Sequence, residues 1–145
     1  MHVFERPPRA RVIALLSACG LPVDDLCPWQ FEHFFGCGTV ENPTGVVGIE
    51  MYGAVALLRS LAVVEASRGL GLGSGLVAAV EDHARKKGVK DVYLLTTSAR
   101  RLFEAFGYQE VTRESAPDPI RTTSEFSAIC PASATFMRKR IAPPP

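Results

Sequence analysis

The stretch Arg68-Gly69-Leu70-Gly71-Leu72-Gly73-Ser74-Gly75 decides the reading of this chain, because a run of alternating glycines there joins a buried strand to an amphipathic helix. Before it, Ala54 to Val64 reads Ala-Val-Ala-Leu-Leu-Arg-Ser-Leu-Ala-Val-Val, apolar and β-branched enough to predict a buried strand. After it, Leu72, Leu76, Val77, Val80 and Ala84 recur at helical spacing, Glu81/Arg85 and Asp82/Lys86 form i,i+4 pairs, and Gly88 follows a basic last turn. Glycines let the backbone take positive φ and approach a ligand closely, while the first helical turn offers unpaired N–H groups and the positive end of a dipole. Strand, glycine loop and helix in this order predict an anion site, best suited to a phosphate.

Spacing separates the candidate loops. A P-loop needs Gly-Lys-Ser/Thr at the helix start, and here the sequence offers Gly-Leu and Gly-Ser. A Rossmann fingerprint needs a sixth-place glycine; counting from Gly71 gives Leu76, and from Gly69 gives Ser74. The pattern Arg/Gln-x-x-Gly-x-Gly/Ala is satisfied by Arg68, Gly71 and Gly73. At this loop the chain resembles the GNAT superfamily of N-acetyltransferases, which implies acetyl-CoA as cosubstrate, its pyrophosphate held by Arg68, Gly69, Gly71, Gly73 and Ser74. A second segment, Ala99-Arg-Arg-Leu102-Phe103-Glu104-Ala105-Phe106-Gly107-Tyr108, is similar to the superfamily's A-x-x-L-Y-x-x-x-G-F. Three further pieces resemble the compact branch known as arsenic-resistance N-acetyltransferases: Leu58-Arg59-Ser60-Leu61-Ala62-Val63, Leu94-Leu95-Thr96-Thr97, and Glu125-Phe126 with Cys130-Pro131-Ala132-Ser133-Ala134.

Length and composition agree with a small enzyme or binding domain. The 145 residues suffice for one domain with a sizeable core, expected to span 1–145. A net charge of +1 with 47% hydrophobic residues carries no nucleic-acid footprint. Met1 to Arg11 is broken by Glu5, Arg6, Pro7, Pro8 and Arg9, unlike a signal peptide, and no run reaches membrane-spanning length, so the expectation is a cytoplasmic protein with no membrane partner. Cys19, Cys27, Cys37 and Cys130 show no C-x-x-C spacing; free thiols and no metal are expected. The expected partner is a small-molecule amine acceptor, with a homodimer as the one protein assembly considered.

In chain order, His2 to Arg6 predicts a strand, and Arg9 to Cys19 a helix with Val12, Ile13, Leu15, Leu16 and Cys19 along its apolar stripe. Val23 to Cys27, before Pro28, reads as a turn or two of helix, which the resemblance implies forms one wall of the acceptor cleft. Phe31 to Glu41 reads as a strand with Phe31, His33 and Phe35 on one face and Glu32 and Phe34 on the other, and Asn42 to Gly45 as a turn. Val46 to Tyr52 and the buried strand complete an antiparallel meander. Asp91 to Thr97 is the next strand, forced parallel to a neighbour by the intervening helix. Ser98 reads as N-cap of a helix to Phe106, Tyr108 to Val111 as a strand, a segment with Ile120, Phe126 and Ile129 as a short helix, and Ser133 to Ile141 as the last strand. The fold class expected is α/β, with the resemblance implying a GNAT fold: a mixed, mostly antiparallel sheet flanked by helices.

Acetyl transfer from a thioester to an amine requires a deprotonated amine, a polarised carbonyl, and a thiolate that is protonated or tolerated. The resemblance implies that backbone groups of Leu61 and Val63 pair with the pantetheine arm. It also places Phe103 where many relatives carry a tyrosine facing the coenzyme sulfur, and phenylalanine cannot donate a proton. A hydroxyl of Thr96, Thr97 or Ser98 or a water substitutes, or the thiolate leaves unassisted, or transferase activity is lost. Glu50 and Glu41 are candidate bases, each facing cleft or solvent according to register. Arg59 interrupts an apolar run, and a charge there needs a partner: an acceptor carboxylate or a buried acid such as Glu50. Strict alternation puts Arg59, Leu61 and Val63 on one face. Glu125 and Cys130 complete the candidate acceptor residues.

Overall fold

The computed structural model describes residues 2–129 and 133–142. Its elements follow as β1 (Val3–Glu5), α1 (Arg9–Ala18), α2 (Pro28–Phe31), β2 (Phe34–Gly38), β3 (Pro43–Tyr52), β4 (Val55–Val63), α3 (Leu72–Lys86), β5 (Asp91–Thr96), α4 (Arg100–Ala105), β6 (Gln109–Glu110), α5 (Asp118–Arg121) and β7 (Thr135–Arg140). Among the described residues seven strands hydrogen-bond in the order β1-β2-β3-β4-β5-β7-β6; β1 with β2, β2 with β3, β5 with β7 and β6 with β7 pair antiparallel, and β4 with β5 parallel. The mixed, mostly antiparallel α/β architecture expected from the sequence is present. The contacts gather into two units, one of residues 1–50 and 58–82, the other of 51–57 and 83–145.

In the first unit, α1 and α2 bury Val12, Leu15, Leu16 and Phe31 against Phe34, Val46 and Ala62. Successive strand residues face opposite ways, so Gly45 points away from this cluster. A Cβ at Gly45 would come within 2.9 Å of Leu76 Cδ1 and 3.1 Å of Cys37 Sγ, so the missing side chain is what lets α3 lie close on that face. The expected stripe of α1 loses Ile13, which is 38% exposed. The expected helix at Val23 to Cys27 is instead irregular chain, and the helical turn begins at Pro28. Proline suits a first helical position, and Gln30 reaches back to accept the Cys27 amide at 2.6 Å. Phe31 therefore closes α2 and does not open a strand. Strand β2 has Phe34, Phe35, Gly36 and Cys37 all buried, so it lacks a solvent face and the expected alternation fails. The expected turn at Asn42 to Gly45 is shorter, because Pro43 already starts β3 opposite Gly38.

In the second unit, Leu57, Tyr93, Ala116, Ile120 and Phe136 form the core, with Tyr93 and Phe136 stacked at 5.3 Å. The parallel pairing of β4 with β5 covers Val55–Leu57 against Asp91–Tyr93. Burial, opposed by Arg138 and aided by Asp91, raises the Tyr93 phenol above its ordinary value of 10.0. Above about pH 10 the unfolded chain then loses this proton before the folded one does, so stability falls as pH rises through that window and is complete below it. Thermal unfolding as a function of pH should show this alkaline slope in the parent and lose part of it in Tyr93→Phe.

Candidate coenzyme loop and buried ion-pair cluster

After β4 the chain makes a single 3-10 turn at Glu65–Ser67 and then the glycine loop. Gly69 and Gly71 take φ of +82° and +77°, a region that other residues enter only at a cost. The first internal bond of α3 runs from the Gly75 amide to the Gly71 carbonyl at 3.1 Å, so the amides of Leu72, Gly73 and Ser74 precede the helical ladder. Cβ atoms built on Gly69 or Gly71 meet nothing within 4 Å, and one on Gly73 meets only Leu61 Cδ2 at 3.9 Å. Open space over Gly69 and Gly71, and no crowding at Gly73, at the start of a fifteen-residue helix fit an anion such as a pyrophosphate.

Two details differ from expectation. The Arg68 amide donates to the Glu65 carbonyl at 3.2 Å, so the amides suited to an anion start later than Arg68. The Arg68 side chain turns back, its Nε donating to the Val63 carbonyl at 3.1 Å and an Nη lying 3.6 Å from Cys19 Sγ. Arg68 thus ties the loop to the end of β4. Gly73 has no positive φ, so only a ligand close above it could forbid a side chain there.

The same unit buries a charged cluster. Arg59, on β4, places two N–H groups on Asp25 in a bidentate pair, donates to Glu50 Oε2 at 3.0 Å, and directs Nε to Ser60 Oγ at 3.1 Å. Gln30 donates to the same Glu50 oxygen at 3.0 Å. The Arg59, Asp25 and Glu50 side chains are 1%, 4% and 3% exposed. A charge this deep is tolerable because it is paired and hydrogen-bonded. Of the two uses foreseen for Arg59, the contacts formed are those with buried carboxylates: the planar fork holds Asp25 and reaches Glu50, so an acceptor carboxylate would have to compete with Asp25 for it.

The strand alternation expected for Arg59, Leu61 and Val63 is also overturned. Ser60 has φ +58°, a left-handed residue inside the strand, and beyond it Ala62, not Leu61 or Val63, joins the buried cluster with Val12 and Phe34. Sequence reasoning missed Asp25 and Gln30. The arginine in a buried strand did signal an acid partner, and Glu50, the one named from the sequence, is among those it meets, whereas Asp25 carried no such signal.

The remaining candidates belong to the second unit. Thr96 Oγ1 accepts the Ala99 amide at 2.9 Å, so the hydroxyl at the start of α4 comes from Thr96, whereas Ser98 is exposed and Ala99 is the N-cap. Phe103 is 6% exposed and meets Phe106 and Tyr108 edge-on at 5.9 and 5.8 Å. Tyr108 is buried, as a core residue would be. Glu125 is buried at the start of a π-helical turn, Glu125–Ile129. Cys130 lies outside the described residues. Among the described residues there is no group of three or more His, Cys, Asp or Glu placed to hold a metal, and no helix long and apolar enough to cross a membrane.

A sequence profile of the Acetyltransferase (GNAT) family matches residues 12–108, a span that includes the glycine loop, β4 and α4. The chain belongs to this family. An uncharacterized N-acetyltransferase of Chlorobaculum tepidum is 38% identical to this GNAT chain over 92 residues, 63% of the chain and 59% of the relative. N-acetylglutamate synthase from Neisseria gonorrhoeae, complexed with coenzyme A and N-acetyl-glutamate, superposes with a TM-score of 0.83 at 17% identity, covering 99% of this chain and 36% of the synthase. A Mycobacterium tuberculosis protein in complex with CoA superposes with a TM-score of 0.74 at 17% identity, covering 97% of this chain and 99% of that one. The two superpositions establish a shared GNAT fold. The chain spans less than two thirds of the Chlorobaculum and Neisseria proteins.

Proposed function

We propose that this protein is an acetyl-CoA-dependent N-acetyltransferase acting on the amine of a small, amino-acid-like acceptor, the activity residing in one domain over residues 1–145. The observation that carries the reading is the glycine loop: left-handed Gly69 and Gly71, no crowding at Gly73, and the amides of Leu72, Gly73 and Ser74 ahead of the helical ladder, in a chain matched by the family. These groups would hold the pyrophosphate, and Leu61 and Val63 would offer strand backbone to the pantetheine arm. When bound, the coenzyme supplies the acetyl group as a thioester. The amino-acid character of the acceptor is supported by the N-acetyl-glutamate bound in the Neisseria synthase. An arsenical amino-acid analogue is the narrower acceptor, supported by the sequence resemblance alone.

Among the candidate proton carriers, Thr96 is occupied in bonding the Ala99 amide through its oxygen, which leaves its O–H able to donate elsewhere. Glu50 serves as counter-ion to Arg59, which suits it less to the role of base than solvent exposure would. The test is calorimetry with CoA, followed by thiol release from acetyl-CoA across a panel of amines, amino acids and arsenical analogues. Binding with acceptor-dependent thiol release is expected; absence of CoA binding overturns the reading.

A second reading, an acyl-CoA-binding domain without turnover, is favoured by Phe103. Its ring is packed between Phe106 and Tyr108 and carries no proton to give. Phe103→Tyr separates the two. If a missing acid limits turnover, the variant should raise the acetylation rate by roughly a hundred-fold. An unchanged rate in a folded variant places the proton elsewhere.

A further inference from the structure

The segment 21–27 between α1 and α2 is irregular chain, and its backbone bonds are local. The Leu21 amide reaches the Leu16 carbonyl and the Leu26 amide reaches Val23. What joins its polar atoms to the sheet is Asp25, whose carboxylate is held by both ends of the Arg59 fork. The same guanidinium binds Glu50 of β3, and the same Glu50 oxygen accepts Gln30, one turn beyond the segment. Arg59 Nε also reaches Ser60 Oγ, beside the left-handed φ of +58°. A non-glycine residue in that conformation persists only where its surroundings over-determine it. One buried guanidinium therefore fixes two things at once: where the segment 21–27 lies against β4, and the backbone turn that sets how Leu61 and Val63 present themselves.

We propose that Asp25 and Arg59 form an internal latch, making Arg59 a positioning residue for the acceptor wall and the backbone after Ser60 and not a ligand of the acceptor. This rests on the transferase reading given above. The latch needs a planar fork and a carboxylate. Arg59→Lys keeps the charge but supplies a point donor that cannot span both carboxylate oxygens and Glu50. Asp25→Asn keeps the shape but offers a single acceptor oxygen and no charge. Residues that act as one device show non-additive effects, so the double variant should be little worse than either single variant.

The experiment compares parent, Arg59→Lys, Asp25→Asn and the double variant by amide hydrogen exchange and by steady-state kinetics with an amino acid and its amide. The expected result is faster exchange over residues 21–27 in all three variants, a rise of roughly ten-fold in acceptor KM, equal for acid and amide, and weaker coenzyme binding, because the backbone at Leu61 and Val63 shifts when the latch opens. If Arg59 instead binds an acceptor carboxylate, Asp25→Asn releases the fork and lowers KM for the amino acid but not for its amide. That result overturns the proposal, as does exchange over 21–27 identical to the parent. Should Arg59→Lys fail to fold, Asp25→Asn decides alone, because the two roles give it opposite signs. If the parent shows no transferase activity, the exchange measurement still tests the latch, so the two readings fail separately.

Discussion

Arg59→Ala is expected to cost about 3–5 kcal/mol of folding free energy, because it removes the single guanidinium shared by two carboxylates that are each less than a twentieth exposed. The loss is not the worth of the ion pair. It is the cost of leaving Asp25 and Glu50 charged and buried without the guanidinium that neutralises them. Replacing the three together, with Asp25→Leu, Glu50→Leu and Arg59→Met, should therefore recover a large part of it, since a buried ion pair exchanged for apolar side chains of similar volume is often neutral. Urea unfolding of the single and triple variants checks both statements. A loss below about 1 kcal/mol for Arg59→Ala would mean that the carboxylates find protons or water when the arginine goes, as an exposed pair would.

Gly71→Val is expected to weaken CoA binding by about ten-fold to a hundred-fold. A β-branched residue at φ +77° is an outlier costing about 1–3 kcal/mol, and each 1.4 kcal/mol is about ten-fold in affinity. Gly73→Ala separates backbone strain from ligand contact. Gly73 lies in the first turn of α3 without positive φ, and its Cβ would meet only Leu61 Cδ2 at 3.9 Å, so alanine should stabilise the helix by up to about 1 kcal/mol. Weaker CoA binding in a more stable protein then has one cause, a phosphate close above Gly73. Calorimetry showing undiminished affinity in Gly73→Ala would move the pyrophosphate away from that amide.

The strongly periodic parts of the fold were legible. The apolar run ending at Val63, the Leu72 to Lys86 helix and the Asp91 to Thr96 strand all appear where periodicity put them, within a residue or two. The errors cluster where one residue type has two structural uses. The sequence predicts a turn of helix before Pro28, but proline fits equally at a helix start, and the Gln30 side chain on the Cys27 amide goes with that second use. Strand β2 defeated alternation because both of its faces are covered, which local sequence cannot show. The site was legible to the same depth. The glycine loop is chemistry written in adjacent residues, whereas the cluster around Arg59 joins residues 25, 30, 50 and 59, and a left-handed serine between Arg59 and Leu61 leaves no mark in the sequence.

Strand β7 comes after β6 in the chain and is the last of the described strands, yet it lies between β5 and β6. It pairs with all of β5, from Asp91 opposite Arg140 to Thr96 opposite Thr135, and Gln109 and Glu110 of β6 pair with Arg138 and Met137. On the ribosome, β5 with its Val92-Tyr93-Leu94-Leu95 core therefore emerges long before the strand that covers its edge. An apolar strand with an uncovered edge is a template for other chains, and non-local pairing of this kind is slow. The nascent chain is thus most prone to aggregate between the release of β5 and the arrival of β7. The Arg138-Lys139-Arg140 end of β7 bears charges of the kind that keep such a strand from adding to a foreign edge while it waits.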